Sequence, residues 1–181
     1  MRLQRRRRIN RILKLWNTLN HLLLEQVITK CKVIDFTSVV ERITDAEFQG
    51  KKLTEGDFLL FKTRNSFQDQ FSPDFVYLDR TGAAYLRDQR ISGAGIDSLG
   101  IERDQPEHET HKILLGAGIV ILEGLRLKDI EPGEYLLFAA PVKIDNVEAA
   151  PVRAVLIQGV DGQIESISAA GEGSLRCKIP A

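Results

Sequence analysis

An α/β domain with a mixed sheet and flanking helices is the fold class that this sequence predicts, and three observations predict it. Apolar runs recur, as in Phe58–Phe61 and Ile119–Leu122, too short for helices and unbroken enough for strands buried on both faces. Segments with helix-start or helix-stop residues lie between those runs, so short turns and crossover helices alternate along the chain. A length of 181 residues, 43% hydrophobic and 28% charged, suits one globular domain large enough to bury a proper core.

The elements follow in order. Residues 1–24 carry seven positive charges and no acid, which leaves 18 of the 25 basic residues to face all 25 acidic ones in the remainder. Ile9, Leu13, Trp16 and Leu23, with Leu19 or Asn20 between, follow three-to-four spacing and predict a basic amphipathic helix. Lys32–Phe36 reads as a strand, with Ser38–Arg42 leading out of it. Thr44 followed by Glu47 is a capping-box pattern, so a helix is expected from Asp45. Gly56–Asp57 is a turn that feeds the strand Phe58–Phe61. Ala83–Arg87 reads as a helix before a strand that runs into Gly95–Leu99. A short helix carries His111, Leu114 and Leu115, is broken by Gly116 and Gly118, and gives way to the buried strand Ile119–Leu122. Tyr135–Ala139 and Val152–Ile157 are the final strands. After Ile157 the sequence turns Gly- and Ser-rich without strong periodicity, and no chemistry is assigned to it.

Composition narrows the function classes. No apolar stretch approaches the roughly 20 residues of a spanning helix, so no membrane span is expected. Cys31 and Cys177 have no metal-like spacing and read as two reduced thiols of a cytoplasmic protein. The Gly116–Gly118 run lacks the Lys–Ser/Thr of a phosphate loop.

His111 and Glu123, twelve residues apart, are the candidate metal ligands. A strand this buried that ends in a carboxylate presents it at the sheet's C-terminal edge, where open α/β sheets bind ligands. Imidazole nitrogen with carboxylate oxygen suits zinc or manganese. The bland alternative is a hydrogen-bonded His at a helix start and a Glu that opens a loop. His108 lies three residues before His111, so a His108–His111–Glu123 set is a second arrangement, against a solvated His108 in an acidic run. His21 reads as an exposed turn residue. Asp97 admits two readings: a substrate-binding residue of the pocket wall, or a turn cap.

Several blocks carry a resemblance: VIDFT at Val33–Thr37, ITDAEF, EGDFLLFKT at Glu55–Thr63, GIDSLGIERD at Gly95–Asp104, HETHKILLGAGIVILEGL, GEYLLFAAPVKI, and APVRAVLI at Ala150–Ile157. In this order and spacing the chain, from about Glu25 to Ile157, resembles the cyclase-like metal-dependent hydrolases, which include the bacterial kynurenine formamidases. The resemblance implies a swivelling β/β/α single domain, assembly as a homodimer or homotetramer, and a zinc or manganese cofactor. It also implies hydrolysis of a small-molecule amide, such as an N-formyl aromatic amine of tryptophan catabolism, and no nucleic-acid partner. His111 matches the family's downstream metal-binding His and Glu123 its metal-binding Glu. Asp97 falls on the pocket wall, and Arg153 matches a structural Arg of the closing strand, expected in a buried ion pair.

One departure bears on activity. The family signature HxGTHxDxP with a following His, which supplies two His and one Asp to the metal, has no counterpart among residues 1–24. The chain holds only three histidines, His21, His108 and His111. The resemblance therefore divides the chain into a basic segment at 1–23, a cyclase-like domain at 24–157 and an extension at 158–181. Three readings of the basic segment stay open: a helix for anionic membrane or nucleic acid, a transit-like leader, or a stretch foreign to the fold from a late start codon or shifted frame. The third is preferred, because the family pattern begins abruptly near Leu24. The expected function is a metal-dependent amide hydrolase, catalytically impaired for want of half its metal site and with weak metal binding. The alternative is a non-catalytic scaffold or binding protein of the same fold.

Overall fold

Period-two burial explains the apolar runs. Phe58 and Leu60 pack into one core while Leu59 and Phe61 pack into the other, and Val120, Ile121 and Leu122 alternate in the same way. A strand buried on both faces needs no polar residue at any position. The computed structural model describes residues 12–14, 19–68, 70, 72–103, 105 and 107–158. Among them the strands are β1 (Ile12–Lys14), β2 (Ile28–Phe36), β3 (Arg42–Ile43), β4 (Phe58–Thr63), β5 (Tyr77–Leu78), β6 (Gly93–Ile96), β7 (Val120–Glu123), β8 (Gly133–Phe138), β9 (Ala149–Pro151) and β10 (Val155–Ile157). Two helices, α1 (Arg80–Asp88) and α2 (Glu109–Gly116), complete the set.

The main sheet runs β10-β8-β2-β4-β6-β7-β1-β9, and β3 pairs with β5 in a small second sheet. Its centre, β2-β4-β6-β7, is parallel. Both flanks are antiparallel. This is the expected mixed sheet, with a geometric consequence. β9 and β10 sit at opposite ends of the order, yet only Val152–Ala154 separate them. Eight strands laid flat would span ~34 Å, whereas the short link reaches about 14 Å fully extended. The sheet must curl until its edges approach.

The first core holds Leu59, Phe61, Ala83 and Leu86 of α1, and Leu114 of α2. Phe36, Phe48 and Phe61 meet edge-on with ring centroids 5.4–5.8 Å apart. The second core contains Cys31, Phe58, Leu60, Leu122 and Leu137, and neither α-helix contributes to it. Cys31 is a free thiol that burial pushes up to about 12; Cys177 lies outside the described residues.

Four expectations need correction. The basic helix gives way at Ile12–Lys14 to a strand that pairs with both β7 and β9, satisfying the backbone groups of the buried β7 edge; residues 1–11 lie outside the described set. The helix from Asp45 is a single 3-10 turn, Ala46–Phe48. Its entry chemistry holds, since the Thr44 N–H donates to Glu47 Oε2 at 2.7 Å, but Phe48 is fully buried and Gly50 turns the chain at φ 78°. The strand Val152–Ile157 is divided, because residues 149–151 pair with β1 and residues 155–157 with β8. Arg153, expected in a buried ion pair, is exposed. Residues 159–181 lie outside the described set.

Close packing between β4 and β6 sets a test. A Cβ added at Gly93 would run into the ring of Phe58, which is fully buried, while one at Gly116 would meet nothing within 4 Å. Gly93→Ala should therefore destabilise the protein by about 1–3 kcal/mol, and Gly116→Ala should be neutral or slightly stabilising. Urea denaturation of the two variants checks the order, and equal midpoints would contradict this packing.

Candidate metal centre

Three parallel strands deliver side chains to one edge. β4 ends at Thr63, β6 runs directly into Asp97, and β7 ends at Glu123. These are the C-terminal ends, where α/β sheets place their ligand sites.

Asp97 is taken up by the chain itself. Its Oδ2 accepts from the Thr63 N–H at 2.7 Å, the Ser66 hydroxyl at 2.7 Å and the Ser66 N–H at 3.2 Å, and Oδ1 accepts from the Thr63 hydroxyl at 2.7 Å. Burial pushes this carboxyl upward, against the pull of the Ser66 and Thr63 bonds. Of the two readings held open for Asp97, these bonds describe the cap: the carboxylate fastens the turn Arg64–Phe67 to the end of β6.

His111 arrives on the first turn of α2. The Thr110 hydroxyl donates to the Leu78 carbonyl at 3.1 Å, which pins that turn to β5, and Leu114 anchors the helix in the first core. The imidazole is gripped from both sides. Nδ1 lies 2.8 Å from Glu102 Oε1, and Nε2 lies 3.1 Å from Glu123 Oε1. Both carboxylates are deeply buried, at 4% and 2% side-chain exposure against 17% for the ring. The two residues singled out by spacing, His111 and Glu123, are thus in direct contact.

Glu102 is the residue that sequence reasoning missed. It comes from the loop after β6, which is tied down where the Gly124 N–H donates to the Ser98 carbonyl at 2.7 Å and the Ile101 N–H donates to Glu123 Oε1 at 2.9 Å. Glu102 Oε2 accepts the backbone N–H of His111 at 3.2 Å, near the N-terminus of α2 where negative charge is favoured. Burial pushes the Glu102 carboxyl up, but the hydrogen bond and charge of His111, followed by the bond to His108, outweigh it and hold the group below the usual glutamate range. His108 Nδ1 stands 2.7 Å from Glu102 Oε1. His21 is exposed at the end of a 3-10 turn, as its sequence context suggested.

The donor chemistry fits a divalent ion. One ligand atom from each of Glu102, His108 and His111 falls within 4.8 Å of the others, and two imidazoles with a carboxylate suit zinc or manganese. Among the described residues no helix is long and apolar enough to cross a membrane.

A curled mixed α/β sheet with a His–Glu cluster at its C-terminal edge defines the scaffold of a metal-dependent hydrolase. The Cyclase family model matches residues 9–103, and the chain belongs to that family. Among curated proteins it is similar to the kynurenine formamidase of Salinibacter ruber, 32% identical over 141 residues that cover 76% of this chain and 66% of that protein. It is also similar to cyclase-like protein 3 of Oryza sativa subsp. japonica, 32% identical over 55% of this chain and 40% of that protein. The chain thus spans 66% and 40% of the length of these two curated relatives. Among solved structures, a potential metal-dependent hydrolase with cyclase activity superposes with a TM-score of 0.80 at 42% identity, covering 81% of this chain and 77% of its own. A predicted metal-dependent hydrolase from Bacillus stearothermophilus follows with a TM-score of 0.76 at 41% identity, covering 81% of this chain and 75% of its own. Isatin hydrolase A from Ralstonia solanacearum, 17% identical with a TM-score of 0.72 over 82% of this chain and 71% of its own, shares the fold.

Two predictions follow from these contacts. A carboxyl held below its ordinary value contributes stability that is full above that value and is lost as pH falls through the lower folded one. His111→Ala removes the main partner of Glu102, so in chelator the variant should unfold at higher pH than the parent in an acid titration followed by circular dichroism; coincident curves would refute the coupling. Asp97→Asn places an amide among five donors, the Asn65 side-chain amide included, and should cost about 1–3 kcal/mol in urea denaturation, whereas an unchanged midpoint would mean the cap contributes nothing.

Proposed function

We propose that this chain is a metal-dependent amide hydrolase of the kynurenine formamidase type, with activity well below that of relatives that carry the full ligand set. The contact between His111 Nε2 and Glu123 Oε1 carries the reading. It joins the two residues that match the family's downstream ligands, on the sheet edge where such sites lie. When bound, zinc or manganese would polarise a carbonyl and lower the pKa of a coordinated water toward ~7. The chain's own residues do the positioning. Glu123, fixed by the Ile101 N–H, and His111, fixed through Nδ1 by Glu102, present one oxygen and one nitrogen at that edge. Asp97 acts at one remove from substrate, by holding the turn after β4.

Impairment follows from ligand number. A catalytic zinc uses about three protein ligands and a water, and the family pair supplies two. His21 is exposed, and His108 Nδ1 stands against Glu102. The substrate class is an N-formyl aromatic amine or a related amide, which would place the protein in tryptophan catabolism; its assembly would be a homodimer or homotetramer, its compartment the cytoplasm. The rival, a non-catalytic scaffold of the same fold, draws on the same His111 contacts, since a ring held by two carboxylates is already satisfied without an ion.

The deciding assay is formanilide hydrolysis by the zinc- or manganese-loaded chain. Turnover should be detectable, at least about a hundredfold below a complete relative, and absent in His111→Ala. Turnover equal to a complete relative would refute the impairment. None above background, or turnover that survives His111→Ala, would favour the scaffold.

A further inference from the structure

The turn Arg64–Phe67, after β4, sends two of its side chains into the protein and keeps two out. Asn65 Oδ1 accepts the Val76 N–H and Asn65 Nδ2 donates to the Val76 carbonyl, both at 2.9 Å. The Ser66 hydroxyl accepts the Leu127 N–H at 2.9 Å, and both residues are buried. Arg64 and Phe67 remain. They stand three residues apart in one 3-10 turn, a spacing that brings their side chains to the same side of it.

Arg64 is half-buried and holds an unsatisfied donor. Its Nε is buried with no hydrogen-bond acceptor among the described residues, and no described acid pairs with its guanidinium. A buried donor left unmet costs about 1–3 kcal/mol, and more when it is charged. Such a group in a folded protein calls for an explanation, and a bound acceptor is one. The planar guanidinium fork matches a carboxylate, which it meets with two parallel N–H bonds. The neighbouring cation is differently placed. Lys62 donates to the Lys128 and Ile130 carbonyls at 3.1 Å and 2.7 Å, and its charge acts on Asp35.

Phe67 supplies the second half. Its ring is 50% exposed, and Lys62 Nζ lies 5.8 Å from the centroid. An exposed ring beside an unmet guanidinium suits a ligand with a flat apolar body and one negative group. We propose that Arg64 and Phe67 form a subsite for an aromatic carboxylate at the C-terminal end of β4, so that the amide this chain hydrolyses carries a carboxylate on its ring. Only β6 separates β4 from β7, so the two strand ends stand ~10 Å apart. A ligand of a few ångströms fixed at Arg64 therefore lies on the edge that also holds Glu123 and His111. As a statement about substrate this rests on the hydrolase reading; as a statement about binding it does not.

The test is a ligand-observed NMR titration of the full chain with benzoate and with its neutral isostere benzamide. Chelator is present throughout, so that no metal takes the carboxylate. Benzoate should bind saturably and at least about tenfold more tightly than benzamide. Arg64→Gln should abolish that preference, while Arg64→Lys, which keeps the charge and loses the fork, should retain part of it. Phe67→Ala should weaken both ligands by at least about threefold. Circular dichroism confirms that each variant folds, and the comparison of two ligands in the parent decides the matter without a variant. No benzoate binding, equal affinity for the two ligands, or a preference that survives in folded Arg64→Gln would each overturn the subsite. A preference for benzoate in a chain whose metal-loaded form leaves formanilide intact would uphold the subsite and refute only the hydrolase reading.

Discussion

One imidazole gripped by two buried carboxylates is the contact on which the rest of this edge depends. His111 joins three separately built pieces: the first turn of α2, the end of β7 through Glu123, and the loop after β6 through Glu102. Each carboxylate also takes a backbone N–H, from His111 and Ile101 respectively, so the chain's path is locked to the side chains. Two acids this poorly hydrated require compensating positive charge or donors. Remove the ring and both keep the cost of burial while each loses a contact to the imidazole.

The sheet makes that meeting happen. Parallel pairing of β4, β6 and β7 brings Thr63, Asp97 and Glu123 to one edge, although they are far apart in the chain. Asp97 then fastens the turn after β4, and the Gly124–Ser98 bond fastens the loop after β6. The edge is rigid because its loops are tied to strand ends and to one another. The two cores bury both faces of β4 and β7, which is why these strands read as unbroken apolar runs.

Legibility followed the range of the interactions. Ile119–Leu122 and Phe58–Phe61 were readable because burial on both faces leaves a purely local mark. His111 and Glu123 were readable because a glycine-broken helix and a strand end fix their places along one short stretch. Glu102 was not, since it reaches His111 through a loop whose course is set by Ile101 and Ser98 rather than by any periodicity. β1 was misread because Ile9, Leu13 and Trp16 keep helical spacing, while the unpaired edge of β7 offers a stronger backbone demand at Ile12–Lys14. The turn at Ala46–Phe48 kept its cap and lost its helix to a core that needed Phe48. Family membership reinforces the scaffold.

The most direct measurement is an anomalous difference map, recorded at the zinc edge, from a crystal soaked in zinc. A peak is expected at His111, bounded by at least one of the two carboxylates, Glu102 and Glu123, that flank the ring. A map with no peak at either face of the ring would contradict the metal reading.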